Sequence, residues 1–223
     1  MALPTTARGW RELAVGSAQV LAALLRAPVL RGRYNRWGTD PLERTAALPG
    51  DGLVPAPRLG YTRAITIGAP VEAVWPWLVQ IGQGRGGLYS FDALENLVGC
   101  DLHSADEIRQ EWQRLQVGDR IRLAPADGAP SYEVAKLEPP TTLVLLGGGP
   151  DGPRVTWQWV LRRVDDGRRT RLLVRQRLDV PRSQTLLWHL VEPIAFVMER
   201  RMLLGLARRA AGRARTPNAP RPR

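Results

Sequence analysis

The sequence predicts an α+β fold: a curved antiparallel sheet of about six strands wrapped around one long C-terminal helix. Two short helices follow the first strand, and an extra helix stands at the N-terminus. Three observations predict this. From residue 119 to 180 the hydrophobic period is 2, and short turn signals between the runs join antiparallel neighbours. Residues 183–212 carry a long helical pattern, the one amphipathic partner able to cover such a sheet. The chain has 223 residues, 44% hydrophobic and 24% charged, which makes one domain with a full core and little left for a second.

Taken in order, residues 13–25 (LAVGSAQVLAALL) form an uncharged run between Arg11–Glu12 and Arg26. On a helical wheel Leu13, Ser17, Val20, Leu21 and Leu24 share a face. A run this short, at about 1.5 Å per residue, falls below a hydrocarbon core of about 30 Å. No A-x-A cleavage motif follows before Arg31 and Arg33. The run reads as a helix packed on the domain or, flanked by Arg26, Arg31, Arg33 and Arg36, as an in-plane membrane anchor. Pro and Gly punctuate residues 34–60, which read as connection. The domain plan is a basic helical segment 1–36, a connection 37–60, a folded domain 61–212 and a disordered basic tail 213–223.

Residues 61–67 (YTRAITI) alternate and are β-branched, as a strand requires. Gly68-Ala69-Pro70 turns into a helix over 71–81, which contains Pro76. A second helix over 90–98 has Ser90 as N-cap. Strands follow at 119–124, 131–138, 141–147, 154–164 and 169–180, separated at Asp127-Gly128, Pro139-Pro140, Asp151-Gly152 and Asp166-Gly167. Val155, Trp157, Trp159 and Leu161 share one sheet face with Thr170, Leu172, Val174, Gln176 and Leu178. Arg175 and Arg177 take the other face, towards solvent. On the last helix, bent at Pro193, the expected apolar face is Leu187, Leu190, Val191, Ile194, Val197, Met198 and Met202, with His189 opposite.

Charge narrows the function classes. The net charge is +11, but residues 37–199 sum to −2, so the basic character belongs to the two ends. Such ends suit solvent or an anionic membrane surface. Nucleic acid is disfavoured, because the expected sheet surface lacks exposed aromatic platforms. A single cysteine, Cys100, excludes an internal disulfide, and two histidines exclude a His-rich metal centre. No metal or cofactor is expected. The expected location is cytoplasmic, or peripheral at the inner face of the cell membrane.

The stretches "ITIGAPVEAVWPWLVQIG" (65–82), "LEPPTTLVL" (137–145), "WQWVL" (157–161) and "TRLLVRQRL" (170–178) resemble the START-like, Bet v 1-like superfamily. This is also called the SRPBCC, helix-grip or polyketide cyclase/dehydrase-like group. The segment 75–108 is similar to a bacterial, largely uncharacterised subgroup. The resemblance covers about 61–205 and implies a cavity under the long helix that binds lipids, sterols, polyketides or other hydrophobic molecules. Some members are cyclases or aromatases.

The glycine-rich GQGRGG (82–87) follows a helix, so it fits neither a Rossmann turn nor a Walker loop. It reads as a flexible link, with Arg85 able to offer charge at a cavity mouth. Residues 89–106 hold Tyr89, Asp92, Glu95, Asp101, His103 and Asp106, the densest polar cluster on the chain. Most of these groups suit capping and loop ordering, and a mononuclear metal site of one His with two or three carboxylates is an alternative. For acid–base chemistry Glu95 is the first candidate and His103 the second. No G-x-S-x-G nucleophile motif occurs. The expected ligand wall is Trp157, Trp159, Leu172, Val174, Gln176, Tyr89, Leu190, Ile194 and Met198. The leading expectation is a binder of a small hydrophobic ligand such as a lipid or polyketide. A cyclase/aromatase-like enzyme and a peripheral membrane protein are the alternatives.

Overall fold

The computed structural model describes residues 3–148 and 153–214, with the side chains of 213 and 214 left out. The predicted turn at Asp151-Gly152 and the predicted tail over 213–223 lie outside the described residues, apart from the backbone of 213 and 214. The strands are β1 (Leu59–Ile67), β2 (Arg120–Arg122), β3 (Ser131–Glu138), β4 (Thr142–Gly147), β5 (Arg154–Val164) and β6 (Arg169–Asp179). They form one antiparallel sheet in the order β1-β6-β5-β4-β3-β2, so the first strand pairs with the last. The helices are α1 (Ala7–Asn35), α2 (Pro41–Thr45), α3 (Val71–Val79), α4 (Asp92–Leu97) and α5 (Thr185–Ala214). The α+β class, the six strands and the long C-terminal helix match the expectation from sequence.

Register carries the predicted sheet phase through. Trp157 lies opposite Gln176, Trp159 opposite Val174 and Leu161 opposite Leu172. On the far side of β6 these positions face Tyr61, Arg63 and Ile65 of β1. This inner face packs against Leu78 of α3 and against Met202, Leu203 and Leu206 of α5. Each large apolar side chain buried there contributes about 1.5–3 kcal/mol.

Four expectations are corrected. The first concerns the buried face of α5. Leu187, Leu190 and Ile194 are exposed, while Phe196, Leu203, Leu206 and Ala210 are buried together with Glu192 and Glu199. A hydropathy wheel pushes acids to the solvent side, but each of these carboxylates meets an arginine, Glu192 with Arg31 and Glu199 with Arg63. Val197 and Met202 are buried as expected.

The second correction concerns the outer face of the sheet. Arg175 is buried rather than solvated: it donates to Asp51 Oδ2 at 2.7 Å, to Thr62 Oγ1 at 2.9 Å and to the carbonyls of Glu43, Arg44 and Ala46. Arg171 binds the Glu43 carboxylate, and Arg177 donates to the carbonyls of Val54 and Pro55. The Pro/Gly-rich stretch therefore lies on the sheet, starting from α2. Asp40 and Glu43 cap that helix reciprocally, and Pro41 opens it. The cover explains why Thr156, Gln158 and Val160 are buried as well as the indoles between them.

The third correction concerns the apolar run over 13–25, which is part of a helix, α1, that fills most of the predicted helical segment 1–36. Thr6 caps it through Gly9 N–H, and the helix continues past Arg26 to span about 43 Å. Its best 18-residue window has a mean hydropathy of 1.7, so by length and composition it could cross a membrane. It lies along α5 and α4, with Gly16 and Ala23 buried. A Cβ on Gly16 would sit 2.6 Å from Leu94 Cδ1 and 3.1 Å from the Phe91 ring, so a side chain there would have to push Leu94 aside.

Fourth, Ser90 is not the N-cap of α4. Phe91 holds that position, and the Ser90 hydroxyl donates to the Met198 carbonyl at 3.0 Å.

Candidate functional site

Alternation along β1 places Tyr61, Arg63, Ile65 and Ile67 on the inner face, and Arg63 is fully buried there. Its Nη1 donates to Glu199 Oε2 at 2.7 Å and its Nε to the Tyr34 carbonyl at 2.9 Å. The guanidinium lies 3.7 Å from the Tyr61 ring centroid. Glu199 Oε1 accepts from Trp157 Nε1 at 3.0 Å and from the Tyr61 hydroxyl at 3.3 Å. Three donors thus meet this buried carboxylate, one of them charged, while Arg63 Nη2 finds no hydrogen-bond partner among the described residues.

Beside this ion pair, between the sheet and α5, is a cavity of about 230 Å³. Its apolar wall is formed by Leu88, Leu123, Tyr132, Trp157, Met198 and Met202. Ser90, Glu95, Gln176 and Glu199 reach it, with Tyr61 beside them. Glu95, on the inward side of α4, is 9% exposed, and its Oε2 is buried with no hydrogen-bond partner among the described residues. Burial chiefly, reinforced by the nearby charges of Asp92 and Glu12, pushes its carboxyl up to about 8. At neutral pH Glu95 is therefore mostly protonated and uncharged. Its helix neighbour Asp92 takes a different course, accepting from the backbone N–H and hydroxyl of Ser104 at 2.7 and 2.6 Å.

The structure divides the predicted site residues. Glu95, Trp157, Gln176 and Met198 meet at the cavity. Trp159, Leu172 and Val174 lie in the solid core behind it, and Leu190 and Ile194 face outward. Tyr89 is a core residue whose hydroxyl donates to the Trp77 carbonyl at 2.9 Å. His103 does not join Glu95. Its exposed ring pairs with Asp101 at 3.0 Å and borders a separate polar hollow of about 520 Å³ with Arg201, Arg208 and Arg209. Arg85 donates to the carbonyls of Val79 and Trp112, both at 2.8 Å, so it pins the glycine-rich loop internally. Thr170 caps the turn at the Ala69 carbonyl instead of facing a ligand. His189 stands 3.5 Å from Glu192, away from the cavity.

Sequence reasoning missed Tyr61, Arg63, Tyr132, Ser90 and Glu199. One signal for the pair was available: Arg63 falls in the inward phase of β1, and an arginine there demands a buried acid. Glu192 and Glu199, seven residues apart on one face of α5, supply such acids.

No protein-family model and no curated protein sequence matches the chain. Among solved structures it is similar to a conserved protein from Geobacillus kaustophilus at 17% identity, covering 69% of this chain and 96% of that one, with a TM-score of 0.41. It is similar to protein MLL2253 from Mesorhizobium loti at 18% identity, covering 70% of this chain and 100% of that one, TM-score 0.41. DynU16, a protein of the dynemicin biosynthetic locus, is 20% identical over 67% of this chain and 46% of its own, TM-score 0.39. At these values the likeness says nothing about ligand or reaction.

Proposed function

We propose that the chain binds a small, mainly apolar molecule carrying one polar oxygen, in the cavity between the sheet and α5. The observation that carries this reading is the Glu95 carboxyl. It is neutral at pH 7, buried, and unpartnered at Oε2 on a wall of mostly apolar side chains. A buried polar atom without a partner costs about 1–3 kcal/mol, and a ligand oxygen that reaches the carboxyl from the cavity would relieve it. Volume narrows the ligand class. An apolar cavity of about 150 Å³ accepts benzene. About 230 Å³ suits a molecule of one or two rings. Among lipid and polyketide candidates the space favours a small ring-bearing, polyketide-like molecule.

Native mass spectrometry of gently purified protein tests this reading. The expected result is a co-purifying small molecule on the wild type, absent from an Ala195→Phe variant whose new ring fills the cavity. Ligand-free wild-type protein that also ignores a panel of mono- and bicyclic ketones would overturn the proposal.

One observation favours a second, catalytic reading of the cyclase or aromatase type. An acid titrating near the working pH can protonate a carbonyl oxygen, and Glu95 fits that role without His103. In that case Glu95→Gln abolishes turnover while keeping ligand bound. Unchanged turnover in the variant rejects it.

A further inference from the structure

We infer that α1 docks this protein on an anionic lipid bilayer, lying in the plane of the interface. The helix has two unlike sides. Gly16 and Ala23 are buried, and Tyr34 stacks on Phe196 of α5 at 4.4 Å between ring centroids. On the rest of its circumference Val15, Leu21, Leu25 and Val29 are 44, 58, 74 and 86% exposed, and Trp10 is 49% exposed. From Trp10 to Val29 this apolar strip extends about 28 Å.

Exposed arginines border the strip: Arg8 before it, Arg26 beside it, and Arg33 and Arg36 after it, with Arg11 inside its N-terminal end. The one acid on α1, Glu12, is half-buried and turned to Arg201 at 3.9 Å. An apolar stripe ringed by cations matches hydrocarbon beneath anionic headgroups. A second copy of the chain is a poorer occupant, because pairing two such stripes sets arginine against arginine. A membrane-spanning pose conflicts with the same contacts. Glu192 is buried and held by Arg31 and Asn35, so withdrawing α1 would strip it of both. Arg26 would then stand within the hydrocarbon. Lying flat sinks the exposed side alone and leaves every packing contact of α1 in place.

The test is co-sedimentation of the full chain with phosphatidylcholine vesicles, with and without phosphatidylglycerol, against a Leu25→Asp/Val29→Asp double variant. Both substituted positions are surface positions, so the variant keeps its fold, which circular dichroism checks. The expected result is wild-type binding to phosphatidylglycerol vesicles only, reversed by salt and alkaline carbonate. Binding falls at least about ten-fold in the double variant, and brominated lipid quenches fluorescence that Trp10→Phe removes. The inference is overturned by wild type that stays in the supernatant. Residence that resists carbonate also overturns it, since that marks a span. A wild-type dimer that the double variant dissolves, with no vesicle binding by either form, assigns the strip to self-association and overturns it as well.

Discussion

Arg63 and Glu199 form the most consequential contact in the molecule, because each would be an unpaired buried charge without the other. Removing one partner of such a pair costs about 3–5 kcal/mol. Arg63→Met is therefore expected to destabilise by that amount in urea unfolding. Arg63→Met combined with Glu199→Leu should cost less than the two single changes added together. Simple additivity would show that the pair is not coupled. Glu95 makes a pH prediction. Its folded-state carboxyl is raised to about 8, so the native protein holds a proton that the unfolded chain releases. The stability this proton confers is complete below the usual carboxylate range and declines as pH rises to about 8. Glu95→Gln should flatten that decline, read as a melting-temperature gap between the variants that widens between about pH 5 and about pH 9. A gap that stays constant contradicts it. At this scale the sequence was half legible: Glu95 stood out in its polar cluster, whereas nothing local to Glu199 marks it, since its role depends on Arg63 of a distant strand.

At the scale of elements, strands were the most readable feature. Alternation located β3 to β6 to within a residue or two, since a one-residue slip would turn every indole and leucine of β5 and β6 to the wrong face. Helix faces were harder, because acids paired across space defeat a hydropathy wheel on α5. The stretch over α2 and beyond was the least readable. Its composition is that of a loop, yet Asp51 and Glu43 neutralise arginines of β6 and hold it on the sheet. Arg175→Ala should release this cover: hydrogen exchange should rise across residues 40–57 while β5 and β6 stay protected. Unchanged exchange over 40–57 would mean that packing of Leu48 on Val160 and Leu173 holds the segment alone.

At the scale of the whole molecule, the sheet grips α5 along two unlike halves. Towards the C-terminal half, Leu203, Leu206 and Ala210 pack solidly against the inner face. Near Ala195 and Met198 the two layers part, and the cavity with Glu95 occupies the gap. The architecture could be inferred from residue order, but which half was filled could not. That depends on α5's rotation, which puts Glu199 at Arg63 and Leu203, Leu206 and Ala210 in the core. The central claim is that neutral Glu95 receives a ligand oxygen, and calorimetric titration of a bicyclic ketone such as 1-tetralone measures this most directly. A ketone oxygen accepts only from the protonated carboxyl. Saturable binding at about pH 6.5 should weaken at least about ten-fold by about pH 9.5 in the wild type, and hold steady in Glu95→Gln, whose amide donates at both. No saturable binding at either pH, or the same pH-dependent loss in the variant, would contradict the account.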